Sequence, residues 1–161
     1  MNALQRKEAH MEQIITIRDA DLTYQARNGE VEALRGVTFS VAEGEFVSIV
    51  GPSGCGKSTL LGVLAGLETL DGGTAALRGS AISGPNRLVG FMPQRDQLFE
   101  WRTIRDNVML GLELRRDRDP VHRRHAEALL ARYGLAEFAD KRPDQLSGGM
   151  RQRCALIRTL A

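Results

Sequence analysis

The sequence predicts an α/β fold, a mixed core carrying an antiparallel β subdomain and an α-helical subdomain. Three observations predict it. Residues 51–59, Gly-Pro-Ser-Gly-Cys-Gly-Lys-Ser-Thr, fit the pattern G-x-x-x-x-G-K-[ST]. They lie between a strand-like apolar run, Glu45-Phe-Val-Ser-Ile-Val50, and residues at helical spacing, Leu60, Leu61, Val63, Leu64 and Leu67. Gln13–Arg18 and Val37–Val41 alternate apolar and polar residues, as half-buried antiparallel strands do. From Thr103 onward the apolar pattern turns helical.

A polyphosphate requires such a strand, loop and helix in succession. Glycines let the main chain wrap closely round an anion, its N–H groups form a nest, and the next helix adds its positive end. Gly51, Pro52, Ser53, Gly54, Cys55, Gly56, Lys57, Ser58 and Thr59 are therefore candidate nucleotide contacts. Lys57 is placed to reach the β- and γ-phosphates, and the Ser58 hydroxyl to ligate Mg²⁺. The core reads as that of a P-loop NTPase.

At 161 residues the chain has the length of one domain and can bury a real core. Hydrophobic content of 42% and charged content of 26% suit a soluble globular protein. A net charge of +2 is too small to argue for nucleic acid on electrostatics. No apolar run approaches the roughly 20 residues of a membrane span. The segment Met1–His10 lacks the apolar stretch of a signal peptide, and Met11 follows closely. The first ten residues are thus expected to be a disordered tail or a misassigned start, and the protein to be intracellular, meeting membranes through a partner.

Cys55 and Cys154 make no disulfide framework. Cys55 is either a thiol made more acidic by the helix start or a tolerated small residue. His122 and His125 sit among Arg115, Arg116, Arg118, Arg123 and Arg124, where metal charge would be repelled. A solvated basic helix face is expected there.

The remaining elements follow in order. Arg27-Asn-Gly-Glu30 is a turn between the first strands, and the continuously apolar Glu45–Val50 reads as a strand covered on both faces. Asp71-Gly-Gly73 is expected to end the loop's helix and open a strand, Thr74–Arg78. Ser83-Gly-Pro-Asn86 turns into a further strand, Leu88–Met92. Thr103 with Asp106 caps a helix burying Ile104, Val108, Met109 and Leu112. Asp119-Pro120 starts another, with Val121, Leu129, Leu130 and Tyr133 inward and a stop at Gly134.

A second anion site is expected at Leu146-Ser-Gly-Gly-Met-Arg-Gln-Arg153, ahead of the helical run Cys154–Ala161. Ser147 is a natural N-cap, and Gly148 and Gly149 leave the N–H groups of the first turn unobstructed. With both motifs in hand, the chain from Met11 to Ala161 resembles the nucleotide-binding subunit of ATP-binding cassette (ABC) transporters. The resemblance implies ATP and Mg²⁺ as ligands. Leu146–Gln152 matches the signature motif, which implies nucleotide contacts from Ser147, Gly148, Gly149 and Gln152 to an opposing subunit. Gln94 matches the glutamine that touches metal and attacking water, giving Ser58 and Gln94 as metal ligands and Lys57 and Gln94 as catalytic residues. Tyr24 matches the aromatic that stacks on adenine.

The resemblance implies one partial domain over 1–161. Residues 11–94 would form the antiparallel β and P-loop core, 95–146 a helical subdomain, and 147–161 the signature helix. Phe91–Val108 looks most like nitrate, sulfonate and taurine import ATPases, with Glu100 where those usually carry Pro. The implied function is the energy-coupling subunit of a bacterial importer for a small anionic or organic solute. Implied partners are a second copy head-to-tail, a membrane permease at the helical subdomain and, indirectly, a periplasmic or extracellular solute-binding protein. No nucleic acid is implied. The implied location is cytoplasmic, peripheral on the inner face of the plasma membrane.

The family's metal-holding Asp, water-polarising Glu and switch His follow the signature helix, and no run of four apolar residues followed directly by Asp occurs here. The expectation is a truncated gene product or a partial sequence of an import ATPase, ending before that strand and binding ATP without turnover unaided. Two alternatives remain: an inert or regulatory fragment, and a non-transport ABC ATPase. The compact stretch from Gln94 to Ser147, without cysteine pairs, favours the transporter over the latter.

Overall fold

The computed structural model describes residues 12–26, 29–86 and 88–161. The expected tail with His10, and the turn tip at Arg27 and Asn28, lie outside the described residues. Two compact units divide between Val89 and Gly90.

In the first unit, β1 (Gln13–Ala26) and β2 (Gly29–Ala42) form a long antiparallel hairpin. β3 (Gly72–Leu77) pairs with the other edge of β1, and β4 (Ser80–Ala81) follows, giving the order β2-β1-β3-β4. The hairpin outruns the alternating sequence because bulges break the period without ending the strands. Asp19 and Gly36 take left-handed φ values of 47° and 55°, and the register shifts between Ile17↔Phe39, Ala20↔Val37 and Leu22↔Leu34. The bulge is satisfied locally: Asp19 N–H donates to Thr38 Oγ1 at 2.8 Å, and Gly36 N–H to Asp21 Oδ1 at 2.7 Å.

Helix α1 (Lys57–Leu64) lays Leu60 and Val63 on Ile17, Ala20, Leu22, Leu34 and Ala75. It stops at Leu64, not at Asp71-Gly-Gly73. Gly66 (φ 71°) turns the chain where an added Cβ would lie 2.0 Å from the Gly84 carbonyl oxygen. Leu67 therefore falls beyond the helix, and it and Leu61 are exposed.

Two expected strands do not form. Glu45–Val50 pairs with none of the four strands, and Phe46 and Val50 are 92% and 88% exposed. Leu88–Met92 forms no strand either, and Leu88 is exposed. A strand exists only through a ladder partner, and the described residues supply none for either segment.

The second unit is helical: α2 (Ile104–Val108), α3 (Leu110–Leu114), α4 (Pro120–Arg132) and α5 (Gly148–Leu160), with 3₁₀ turns at Ala136–Phe138 and Pro143–Gln145. Thr103 Oγ1 accepts the Asp106 N–H at 3.1 Å, and Asp119 Oδ1 accepts the Val121 N–H at 2.8 Å with Pro120 as first helical residue. Ile104, Val108, Met109, Leu112, Leu129 and Leu130 join one core with Leu135, Cys154, Ala155 and Ile157. Val121 is exposed, contrary to expectation, because only the later turns of α4 carry its buried residues, Ala126, Leu129 and Leu130. Tyr133 is partly buried against the core.

Buried Asn107 is fully partnered. Its Oδ1 accepts the Phe99 N–H at 2.7 Å, and its Nδ2 donates to the Phe99 and Thr103 carbonyls at 3.1 and 2.9 Å. A buried amide left unpaired would cost about 1–3 kcal/mol, so this set fixes the Phe99–Thr103 loop on α2.

Candidate functional site

In the first unit the site is the 51–59 loop. Gly54 and Gly56 hold left-handed φ values of 82° and 86°. A Cβ on Gly56 would lie 2.1 Å from the Ala33 carbonyl oxygen, so the loop closes directly against the main chain of β2 and only glycine fits. The first intrahelical bond, Leu60 N–H to the Gly56 carbonyl at 2.8 Å, leaves the N–H groups of Lys57, Ser58 and Thr59 at the open helix start. Lys57 Nζ donates to the Gly51 and Pro52 carbonyls at 2.8 and 2.6 Å and lies 3.4 Å from Cys55 Sγ. A fixed ammonium thus sits within the glycine turn. Gly51, Pro52, Ser53, Gly54, Cys55 and Ser58 are exposed, and Thr59 is half-buried.

Tyr24 belongs to the same unit. It pairs with Val31, two residues along β2 from the Ala33 carbonyl that backs Gly56, and it is partly exposed.

The second unit carries Gln94, Ser147, Gly148, Gly149 and Gln152. Ser147 Oγ accepts the Met150 N–H at 3.4 Å and starts α5, with both glycines exposed. Gln152 Nε2 donates to the Gln94 carbonyl at 3.3 Å, so the structure joins two residues that the sequence places far apart.

Sequence reasoning missed three neighbours of this pair. Arg151 Nε donates to Asp96 Oδ2 at 3.0 Å and its Nη1 to the Leu146 carbonyl at 3.0 Å. Arg158 Nη1 and Nη2 donate to the Gln97 and Asp96 carbonyls at 2.8 and 2.7 Å. The available signal was spacing: residues seven apart share a helix face. Charged residues at that spacing ordinarily read as solvated surface, so the signal passed unnoticed.

The thiols differ sharply. Cys55 is exposed in the loop, whereas burial pushes the Cys154 thiol up to about 12. His122 Nδ1 lies 2.7 Å from Asp117 Oδ2, and His125 is exposed. The Asp119 N–H, then His122, hold the Asp117 carboxyl below its ordinary value. This pair closes the loop before α4. Among the described residues no group of three or more His, Cys, Asp or Glu is placed to hold a metal. No helix among them is long and apolar enough to cross a membrane.

Known proteins resemble this chain in sequence and fold. A taurine import ATP-binding protein of Ruegeria pomeroyi is 41% identical over 148 residues, covering 91% of this chain and 55% of its own length. An aliphatic sulfonates import ATP-binding protein of Agrobacterium fabrum is 49% identical over 129 residues, 80% of this chain and 48% of its own. The chain thus spans about half the length of these relatives. The solved dimer of the ATP-binding cassette MJ0796 in a post-hydrolysis state with ADP and Pi superposes with a TM-score of 0.81 at 31% identity. That match covers 91% of this chain and 69% of the cassette. Residues 34–161 match the family described as ABC transporter, and the chain belongs to that family.

Proposed function

We propose that this chain is the ATP-binding, energy-coupling part of an importer for a small anionic solute. The observation that carries the reading is the closed glycine turn at Gly54–Gly56 with the Lys57 ammonium inside it. Bare Cα atoms admit phosphate oxygens to the main chain, and a fixed cation meets their charge. Lys57 would meet the β- and γ-phosphates, the Ser58 hydroxyl and, as the family resemblance implies, Gln94 would serve Mg²⁺, and Tyr24 would offer its ring face to adenine. Mg²⁺, when bound, neutralises phosphate charge. Ser147, Gly148, Gly149 and Gln152 present a second helix start to nucleotide held by another copy, head-to-tail.

The relatives' names support the solute class: taurine, aliphatic sulfonates and, for a Synechococcus elongatus relative 42% identical over 157 residues, bicarbonate. All three carry an anionic group. The MJ0796 cassette, solved as a dimer, supports pairing. The working place is then the cytoplasmic face of a membrane, with a permease at the helical unit and a solute-binding protein beyond it.

These 161 residues bind and position nucleotide, but they contain no apolar run leading into an Asp–Glu pair. Equilibrium titration with a fluorescent ATP analogue and Mg²⁺ tests the site. Lys57→Ala should weaken binding about tenfold or more, the loss of one charge-assisted contact. Equal affinity in a folded variant overturns the reading.

A further inference from the structure

We propose that Arg151 and Arg158 are positioning residues that clasp the segment Gln94–Gln97 onto helix α5, so that Gln94 and the Ser147 helix start move as one body. Four side-chain donors from α5 reach this segment. Gln152 takes the Gln94 carbonyl at 3.3 Å, Arg151 the Asp96 carboxylate at 3.0 Å, and Arg158 the Asp96 and Gln97 carbonyls at 2.7 and 2.8 Å.

The acceptors are mostly main-chain oxygens, which makes the clasp a device for holding backbone shape. Gln97 has a left-handed φ of 47°, a conformation that a non-glycine residue keeps only under outside constraint. Arg158 supplies that constraint through a planar fork spanning two successive carbonyls, a geometry a lysine cannot reproduce. The helix behind the fork is rigid, since Cys154, Ala155 and Ile157 are fully buried. The far end of the segment is fixed independently, where Asn107 holds both polar main-chain groups of Phe99. Residues 94–99 are thus pinned to α5 at one end and to α2 at the other, and α2 and α5 share one core.

The functional consequence rests on the reading proposed above. There Ser147 meets nucleotide on a second copy while Gln94 serves the chain's own. The clasp then carries a displacement at one site to the other without a separate hinge.

The test uses the 161-residue chain without nucleotide, so failure of ATP binding would leave it untouched. Amide exchange is followed residue by residue for wild type, Arg158→Ala, Arg158→Lys, Arg151→Ala, Asp96→Asn and the double variant of the last two. Arg158→Ala should speed exchange at Leu98, whose N–H donates to Asp96 Oδ1, by about tenfold or more, while Phe99, held by Asn107, and Leu129 and Leu130 in α4 keep their wild-type rates. Arg158→Lys should recover only part of this protection. Arg151→Ala and Asp96→Asn should be non-additive, the double variant exchanging no faster than either single one. Trp101, the sole tryptophan, stacks on Phe99 with ring centroids 4.8 Å apart, and its emission should stay unchanged in Arg158→Ala, since Asn107 holds that end. Unchanged exchange at Leu98 overturns the proposal. So does acceleration spread equally through α4, or global unfolding of Arg158→Ala, which would make Arg158 a general support; so would additive Arg151 and Asp96 effects.

Discussion

The two units answer differently to the same physics. In the helical unit the expected caps at Thr103, Asp119 and Ser147 form hydrogen bonds, and six of the residues expected in its core are buried. In the β unit the apolar run Glu45–Val50 is unpaired and largely exposed, while the bulged β1–β2 hairpin outruns its alternating pattern. Helices close their own hydrogen bonds, so a local pattern nearly determines them. A strand needs a second segment that its own residues do not specify. The contrast teaches that an apolar run states an affinity for burial, whereas a strand is a relation between two segments.

Thiol chemistry separates the two units by orders of magnitude. With its thiol pushed up to about 12, only about one Cys154 in ten thousand is ionised at pH 8. Maleimide should therefore label Cys55 far faster than Cys154, with Mg-ATP slowing Cys55 alone. Mass spectrometry after brief treatment checks this, and comparable labelling of both thiols would mean that the helical core opens readily.

Leu130→Ala removes a fully buried side chain of the helical core and should cost about 2–5 kcal/mol in urea unfolding. Phe46→Ser, in the unpaired run, should change stability by no more than about 0.5 kcal/mol and improve solubility. If the two substitutions proved equally costly, Phe46 would be packed after all, and the contrast between the units would fail.

The smallest effects sharpen the role of local signals. Thr103→Ala and Asp119→Ala each remove one cap bond and should cost about 1 kcal/mol. Thermal melts would read each loss, and Asp119→Asn should restore most of it, since an amide oxygen caps as well. Melting temperatures that do not move would show that core packing alone, and not capping, places these helices.

By itself the sequence determined the glycine loop and the helix caps, because each is a contact between residues near in the chain, and its helical period marked most of the residues of the helical core. It also pointed to Lys57 and Ser58, since the loop's geometry follows from its glycines. Only the tertiary structure decided that Gly56 must be bare against the Ala33 carbonyl, that α1 stops at Leu64 where Gly66 meets Gly84, and that Glu45–Val50 stays unpaired. It alone joined Gln152, Arg151 and Arg158 to the segment after Gln94. Each of these joins residues far apart in the chain or turns on a partner that is missing, and such pairings leave no periodic trace in either segment.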